Sequence, residues 1–489
     1  MKINISNLNI DLNLQYAEIG KKDLLAYEEM FKNAFLEIQK IENGEKVNNS
    51  EDRMVGHYWL RNPAISPSAE INDAISFEVE KIKKFAKTNS NFENLIIVGI
   101  GGSCLGPQFL ERALSATKSN VSTFYLDNTD PEGVEVTLRA VKDLSKTLVL
   151  VVSKSGGTKE TRNSCILAKK AYEEKGLSLG NHFAAVTVPG SKLDLQAKSE
   201  GWLDSFALWD WVGGRTSMWS AVGILPLAIQ GYDIDKFLTG ASMMDAHTRK
   251  EGFFDNPAAL LAASWHFLGG GKGEKSMVVL PYKDSLSLFS KYLQQLIMES
   301  LGKECDRAGN VVNQGIPVYG NKGSTDQHSY VQQLREGPNN FFAVFVQVLK
   351  ESVCNDSYNL KSIEVEGGIS ATDYLFSFML GTRKALFEKG KKSLTISMFE
   401  VNEESLGALV ALFERAVGIY ASFVNINAYD QPGVEAGKVA AGDIIRLIKE
   451  IKKSGKLTVE EFCESYAGDC PKEMLEEVFQ HLSVNTLIN

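Results

Sequence analysis

Residues 95–106 read LIIVGIGGSCLG, an apolar run that ends in a group of glycines. Further short apolar runs follow at residues 121–126, 147–152 and 182–188, and helix-like stretches separate them. Parallel strands that are covered on both faces have continuous apolar sequences, and their alternation with helices is typical of α/β proteins. The pattern therefore predicts a parallel sheet flanked by helices.

The same alternation returns later in the chain, with strand candidates at residues 276–281, 341–348 and 393–399. We therefore predict two α/β units, each a mainly parallel sheet flanked by helices. The first would span residues 61–235 and the second residues 236–440.

Both ends of the chain are predicted to be helical. Apolar residues within 24–38 recur at three- and four-residue spacing, which is the period of a helix with one buried face. We expect an N-terminal helical arm over residues 1–60 and a helical tail over residues 441–489.

Length and composition limit the function classes. The chain has 489 residues, which at about 100–200 residues per domain predicts two to four domains. It is 44% hydrophobic and 23% charged, as in globular proteins, and this excludes a disordered chain. Its 52 Lys and Arg against 61 Asp and Glu give a formal net charge of −9, which argues against a nucleic-acid or anionic-membrane partner.

The sequence shows no motif for a metal site, a redox centre or secretion. The six cysteines form no CxxC pair and the six histidines form no HExxH motif, so neither a metal site nor a redox centre is predicted. Reduced thiols and an N-terminus without a secretory signal indicate a cytoplasmic protein. The apolar run at residues 258–268 is interrupted by Ser264 and His266, and it is too short to span a bilayer.

The glycine-rich turn at residues 99–106 can bring backbone N–H groups close to an anion at the start of a helix. A dinucleotide fingerprint would require glycines at its first, third and sixth positions. Counting from Gly99, the sixth position is Cys104, so the fingerprint fails. The alternative is a turn whose glycines are needed only for close packing.

Residues 153–161 read SKSGGTKET and again follow a predicted strand. Four hydroxyl side chains, a lysine and two glycines at a helix start favour a phosphate cradle over a simple helix cap. The order of residues is not that of a P-loop. A monophosphate therefore fits this segment better than a nucleotide does.

Four further residues could carry chemistry, and three of them also have a structural explanation. Arg215 follows two glycines in GGRTSMWS and could hold an oxyanion, or lie on the surface beside tryptophans. Glu299 is either the solvent edge of an apolar helix or a base. His328 lies in a polar loop and suits proton transfer near neutral pH. Lys438 is either a solvated or a buried donor.

Six segments taken together resemble the glucose-6-phosphate isomerase (phosphoglucose isomerase) family, of the bacterial type. They fall in the family's order between residues 99 and 438, and they read GIGGSCLGP, SKSGGTKET, GGRTSMWSAVG, YLQQLIMESLGK, DQHSYVQQLREG and DQPGVEAGK. The resemblance implies two sugar isomerase (SIS) domains with the site in a cleft between them. It also implies reversible conversion of D-glucose 6-phosphate to D-fructose 6-phosphate in glycolysis and gluconeogenesis, without a cofactor or metal.

The resemblance assigns roles to individual residues. Glu299 matches the catalytic base, Arg215 lies near the reacting carbons, and His328 with Lys438 matches the pair that assists ring opening. The family is typically a homodimer in which the histidine reaches across from the partner subunit. The positions that match substrate contacts are Gly102, Ser103, Ser153, Lys154 through its backbone, Ser155, Thr158, Gln295 and Gln431.

Some positions depart from the family pattern. A leucine precedes Gly302 where an asparagine is expected, Asp-Gln precedes His328 and Ser-Tyr follows it, and Pro432 replaces a tryptophan. The cradle also has Gly156-Gly157 where many relatives have bulkier residues. These look like features of a bacterial branch, and they bear on substrate preference more than on the reaction.

The residue types suit aldose–ketose isomerisation. A carboxylate such as Glu299 can take a proton from one carbon and return it to the next. Arg215 stays protonated, so it can stabilise the enediolate and keep the neighbouring carboxylate ionised. The alternatives are a non-catalytic SIS-type sensor and an isomerase acting on mannose 6-phosphate or an amino sugar. An amino-sugar synthase would require an N-terminal cysteine nucleophile, and the first cysteine here is Cys104.

Overall fold

The computed structural model describes residues 1–115, 119, 121–350, 364–455, 458–463, 466, 468 and 470–485. The chain forms two compact units, Met1–Tyr429 and Asp430–Asn489. Cys354 and several positions of the predicted helical tail lie outside the described residues. The domain boundaries at residues 60, 235 and 440 stay a prediction.

Strands form the framework of the first unit. In chain order they are β1 (Lys2–Ile5), β2 (Ile10–Asn13), β3 (Asn94–Val98), β4 (Ser122–Leu126), β5 (Thr147–Val152), β6 (Phe183–Thr187), β7 (Asp204–Ala207), β8 (Ser276–Pro281), β9 (Lys303–Cys305), β10 (Val311–Gln314), β11 (Val318–Tyr319), β12 (Phe341–Val348), β13 (Glu364–Glu366), β14 (Ile369–Ser370) and β15 (Ser393–Met398). All seven strands predicted from apolar runs are confirmed, with ends that differ by at most two residues.

Helices cover the sheets and make up the second unit. In chain order they are α1 (Lys21–Leu24), α2 (Tyr27–Glu42), α3 (Ala69–Thr88), α4 (Gly102–Leu114), α5 (Pro131–Ala140), α6 (Lys159–Glu174), α7 (Lys192–Ser199), α8 (Ala221–Ile229), α9 (Ile234–Thr248), α10 (Pro257–Leu268), α11 (Phe289–Leu293), α12 (Val331–Glu336), α13 (Ala371–Phe387), α14 (Glu403–Phe423), α15 (Pro432–Ser454), α16 (Val459–Cys463) and α17 (Lys472–Val484). Polar side chains cap several of them. The Ser370 hydroxyl accepts from Asp373 N, and the Asp373 carboxylate accepts from Ser370 N.

The first sheet has five parallel strands in the order β4-β3-β5-β6-β7. Every residue of β3, β5 and β6 is buried. Complete burial explains why these strands have continuous apolar sequences rather than alternating ones. The predicted fold class, α/β with mainly parallel sheets, is confirmed.

The second sheet has the order β1-β2-β15-β12-β8-β11 and is antiparallel at one edge. Strands β8, β11, β12 and β15 run parallel, whereas β2 pairs antiparallel with both β1 and β15. The expectation that the N-terminal arm is helical is therefore wrong for its first thirteen residues. KINI and IDLN alternate polar and apolar residues over only four positions each, and Ile5, Ile10 and Leu12 turn into the core.

Helix α14 lies at the centre of the first unit. Among the described residues it is the one helix long and apolar enough to cross a membrane, but 83% of its most apolar window is buried inside the protein. It crosses α9 at short range, because a Cβ on Gly240 would lie 1.9 Å from the Glu404 carbonyl oxygen and a Cβ on Gly407 would lie 2.0 Å from that of Phe237. Only glycine permits so close a backbone approach.

The second unit consists of α15, α16 and α17. They bury an apolar cluster of their own, which includes Leu447, Ile451, Phe462, Phe479 and Leu482. The predicted helical character of the tail is confirmed, and its first helix begins at Pro432, nine residues before the predicted boundary at residue 441.

Candidate active site

The site lies where the strand order of the first sheet reverses. The chain passes from β3 outward to β4 and then returns to β5, which pairs with β3 on its other side. In open parallel sheets, ligands bind at the carboxyl ends of the strands at such a switch point. The glycine turn after β3 and the hydroxyl-rich loop after β5 both occupy this edge.

The loop after β5 is organised around its own hydroxyl groups. Ser153 Oγ accepts from Gly156 N at 3.1 Å and lies 3.5 Å from Thr158 Oγ1, and Ser155 Oγ accepts from Gly157 N at 3.1 Å. Thr158 occupies the N-cap position of α6. The loop thus presents hydroxyl groups at the positive end of a sixteen-residue helix, which suits a phosphate.

Gly156 is required for this loop geometry. Its φ is +67°, and a Cβ at this position would lie 2.4 Å from Leu193 N. A side chain would therefore be strained and would also collide with the start of α7. The local fold of the loop therefore requires a glycine at residue 156.

The Lys154 side chain does not enter the cradle. Its Nζ donates to the backbone carbonyls of Asp210 and Val212, at 3.0 Å for Val212. Burial, together with the nearby charge of Arg53, lowers the pKa of Lys154 to about 8. The side chain is therefore engaged elsewhere, and the assignment of the Lys154 backbone to the phosphate stays a prediction.

The glycine turn after β3 makes two close approaches. A Cβ on Gly102 would lie only 2.0 Å from the Gly214 carbonyl oxygen, and one on Gly101 would lie 3.2 Å from Gln295 Nε2. Packing thus accounts for the glycine at residue 102, as the structural alternative required. The same contacts bring the Arg215 segment and Gln295 to the turn, with Ser103 half-buried beside it.

Arg215 is buried and held from three directions. Its Nε donates to Ser300 Oγ at 2.8 Å, its Nη2 donates to the Ala428 carbonyl at 2.8 Å, and its Nη1 lies 3.4 Å from Glu299 Oε2. The guanidinium is therefore fixed in one orientation beside a carboxylate. The alternative of a surface arginine is wrong.

Glu299 ends a single π-helical turn, Gln294–Glu299. Such turns are frequent at functional sites because they redirect the side chains that follow. Leu296 and Ile297 are buried, Met298 is exposed, and the Glu299 side chain retains 21% of its exposure. Its Oε2 is buried and accepts no hydrogen bond within the described part of the chain. Glu299 is thus not the solvent edge of an apolar helix.

His328 is exposed at the end of a short 3-10 turn, Thr325–His328. The loop is fixed by its neighbours: buried Asp326 accepts from Asn321 N at 3.0 Å and from the Tyr330 hydroxyl at 2.5 Å. Within the described residues of this chain, no hydrogen bond or ion pair joins His328 to Glu299 or Arg215.

Gln431 and Lys438 belong to the second compact unit. Gln431 directly precedes α15 at its N-cap position, Pro432 is the first residue of that helix, and Lys438 lies exposed on it. Their assignment to the site stays a prediction.

Two groups of functional residues were missed by the sequence reasoning. Ser300 and the Ala428 carbonyl fix Arg215, and no motif points to either. Behind them lies a buried ionic cluster of Arg61, Asp245, Glu414 and Arg415. Its signal was available, because Glu414 and Arg415 interrupt the otherwise apolar stretch of α14.

The chain matches a known protein family over most of its length. The family model described as phosphoglucose isomerase matches residues 18–366 and 369–465. The chain belongs to the phosphoglucose isomerase family. Among relatives, it is 50% identical over 475 residues to glucose-6-phosphate isomerase of Geotalea daltonii, covering 94% of this chain and 88% of the relative. It is 52% identical over 437 residues to that of Thermosynechococcus vestitus, covering 87% and 82%.

Solved structures agree with membership of the phosphoglucose isomerase family. A glucose-6-phosphate isomerase from Chlamydia trachomatis superposes with a TM-score of 0.83 at 29% identity, covering 90% of this chain and 89% of that one. A hypothetical protein from Thermus thermophilus gives 0.76 at 28% identity, covering 89% and 99%. The fold is thus shared over most of both chains.

Proposed function

We propose that this chain interconverts D-glucose 6-phosphate and D-fructose 6-phosphate, in glycolysis and gluconeogenesis. The observation that carries the proposal is the pair of buried Arg215 and half-buried Glu299, 3.4 Å apart, next to the candidate phosphate cradle at the switch point. A base beside a fixed cation is what proton transfer through an enediolate requires. The names of the family relatives support the same reaction.

Binding begins at the phosphate, which takes no part in bond changes. The hydroxyls of Ser153, Ser155 and Thr158 and backbone N–H groups hold it, with the turn at Gly102 and Ser103 alongside. The energy of this contact positions the distant reacting carbons. Gln295 and Gln431 contact the sugar.

Ring opening and isomerisation follow as separate steps. His328 and Lys438 form the acid–base pair that protonates the ring oxygen and removes the proton of the anomeric hydroxyl. Glu299 then takes the proton from C2 of the aldose and returns it to C1, and Arg215 stabilises the negative oxygen of the enediolate. This series of reaction steps needs no cofactor.

The test of the base is Glu299→Gln, with Glu304→Gln as the matched control on an exposed glutamate. Loss of a positioned base lowers kcat by about 10²–10⁴-fold, whereas binding of glucose 6-phosphate by calorimetry should persist. Near-normal turnover by Glu299→Gln would refute the assignment. A wild-type chain that binds the sugar phosphate without turning it over would instead be a sensor.

His328 is exposed, and we infer a homodimer in which it serves the partner's site. A mixture of Glu299→Gln and His328→Asn chains tests this directly. In a mixed dimer, one site would combine both defects and the other would combine intact Glu299 with intact His328. Activity should return in the mixture after subunit exchange, and a mixture as inactive as its components would contradict a shared site.

None of the five described cysteines forms a disulfide with another of them, as expected for a reducing compartment. We therefore place the enzyme in the cytoplasm. Fractionation of cells that express the tagged chain would test this location.

A further inference from the structure

Glu414 lies on α14 and is fully buried in the ionic cluster behind the site. Arg61 binds it and also donates to Asp245 at 2.8 Å, and Arg415 donates to the same Asp245 oxygen at 2.8 Å. The side chains of these four residues are at most 1% exposed. Buried ion pairs rarely add net stability over apolar packing, so the cluster calls for a reason other than stability.

Glu414 also accepts from two neutral donors. Trp219 Nε1 lies 3.1 Å and 2.9 Å from its two carboxylate oxygens, and the Tyr292 hydroxyl donates to Oε1 at 3.2 Å. Since all three groups are buried, a lost bond would leave a polar atom without water.

The two donors belong to the two segments that carry the chemistry. Trp219 ends the 3-10 segment Gly214–Trp219, which contains Arg215. Tyr292 lies on α11, which runs directly into the π-helical turn that ends at Glu299. One carboxylate therefore ties the Arg215 segment to the Glu299 segment.

Both donor rings are themselves rigid. Trp219 stacks on Phe237 at 4.8 Å between centroids, and Tyr292 stacks on Phe109 at 5.6 Å. Because both rings are buried and stacked, movement of the Glu414 carboxylate would lengthen or bend both hydrogen bonds unless the rings moved with it. The bridge formed by Glu414, Trp219 and Tyr292 thus fixes the distance between the Arg215 segment and the Glu299 segment.

We propose that Glu414 is a positioning residue for the isomerisation, which sets the separation of Arg215 and Glu299 without touching the substrate. The inference rests on the proposed function. A displacement of about 1 Å at reacting groups can cost about 10²-fold in rate, so such a bridge affects kcat. The phosphate cradle is formed by other segments, so KM is largely spared.

The first test compares Glu414→Gln and Tyr292→Phe with Glu42→Gln. Glu42 lies beside this cluster and pairs with Arg415 and Arg249, and within the described residues no hydrogen bond joins it to Trp219 or Tyr292. We expect kcat to fall about 10-fold or more in Glu414→Gln and several-fold in Tyr292→Phe, with KM within about two-fold of wild type. Glu42→Gln should lose stability and keep its kcat.

Tyr292→Phe decides the outcome if Glu414→Gln does not fold, because it removes one oxygen and keeps the ring. A folded Tyr292→Phe protein with wild-type kcat would overturn the proposal. So would an equal loss of kcat in Glu42→Gln, since the effect would then belong to the cluster as a whole.

A second test is independent of the substrate. The changes in the free energy of unfolding caused by Trp219→Phe and Tyr292→Phe should not add up in the double variant of the wild-type background. They should add up in the Glu414→Gln background. Additive changes in both backgrounds would show that Glu414 does not couple Trp219 to Tyr292. An inactive wild-type chain, in contrast, would refute only the proposed function.

Discussion

Gly102 lies so close to Gly214 that a Cβ at residue 102 would sit 2.0 Å from the Gly214 carbonyl oxygen. The first sheet's glycine turn is thereby packed directly against the residue that precedes Arg215. The Gly102–Gly214 contact connects the switch point of the sheet to the guanidinium, and it sets the first prediction.

Gly102→Ala should displace the Arg215 segment. We expect a loss of about 1–3 kcal/mol in the free energy of unfolding, as for other overpacked sites, together with a lower kcat. Chemical denaturation and initial rates measure the two effects. Gly381→Ala is the control, because its Cβ would meet nothing within 4 Å on α13, and it should be neutral or slightly stabilising. Wild-type stability in Gly102→Ala would contradict the close contact.

Arg215→Lys keeps the positive charge but removes the fork. An ammonium cannot serve Ser300, Ala428 and Glu299 together, so the charge is no longer aimed at the developing enediolate. We expect kcat to fall by about 10²–10³-fold, the usual effect of losing a preorganised oxyanion donor. Ser300→Ala removes one holding bond and should lose less. A Lys variant with wild-type kcat would mean that charge alone suffices.

The double variant Ser155→Ala with Thr158→Ala tests the cradle. Removing two hydroxyls should raise the KM for glucose 6-phosphate at least several-fold and weaken competitive inhibition by inorganic phosphate, with a smaller change in kcat. Steady-state kinetics with and without phosphate measure both. Ser199→Ala, on the exposed side of α7, is the matched control and should leave KM unchanged. An unchanged KM in the double variant would remove these hydroxyls from the site.

His57 should make the fold sensitive to acid. Burial, with the charges of Arg61 and Arg415, lowers its pKa well below the ordinary 6.5. Below pH 6.5, His57 therefore binds a proton in the unfolded chain but not in the folded chain. The free energy of unfolding consequently falls as the pH falls, by at most about 1.4 kcal/mol per pH unit.

The His57→Gln variant, which cannot titrate, should lose this part of the slope. Urea unfolding of both proteins between about pH 7.5 and 5.5 measures the difference. Parallel curves over that range would show that His57 takes up its proton in the folded state.

The buried strands and the polar loops at their ends were predictable from sequence for different reasons. Strands β3, β5 and β12 have side chains buried on both faces and therefore long apolar runs. β1 and β2 are short strands with alternating residues at one edge of the second sheet, and β2 pairs with β15, which is almost four hundred residues away. No local pattern encodes such a partner.

The candidate site divides in the same way. Sequence motifs contain the glycines, the hydroxyl residues, Arg215 and Glu299, because the predicted role of each depends on its residue type. The Lys154 side chain was not predictable, since its direction is set by the Asp210 and Val212 carbonyls of another loop. The hydrogen bonds of Glu414 could not be predicted, because three segments that are far apart in the sequence come together to form them. The charged pair Glu414-Arg415 in an apolar helix indicates a buried polar contact, but it does not show which residues take part.

The antiparallel edge formed by β1 and β2 has a consequence for synthesis of the chain. Strand β2 leaves the ribosome long before its partner residues Thr395–Met398. The five-stranded sheet, complete by Ala207, can close early. Ile10 and Leu12 stay without this partner strand until β15 has been made, so truncated nascent chains should expose both residues until then.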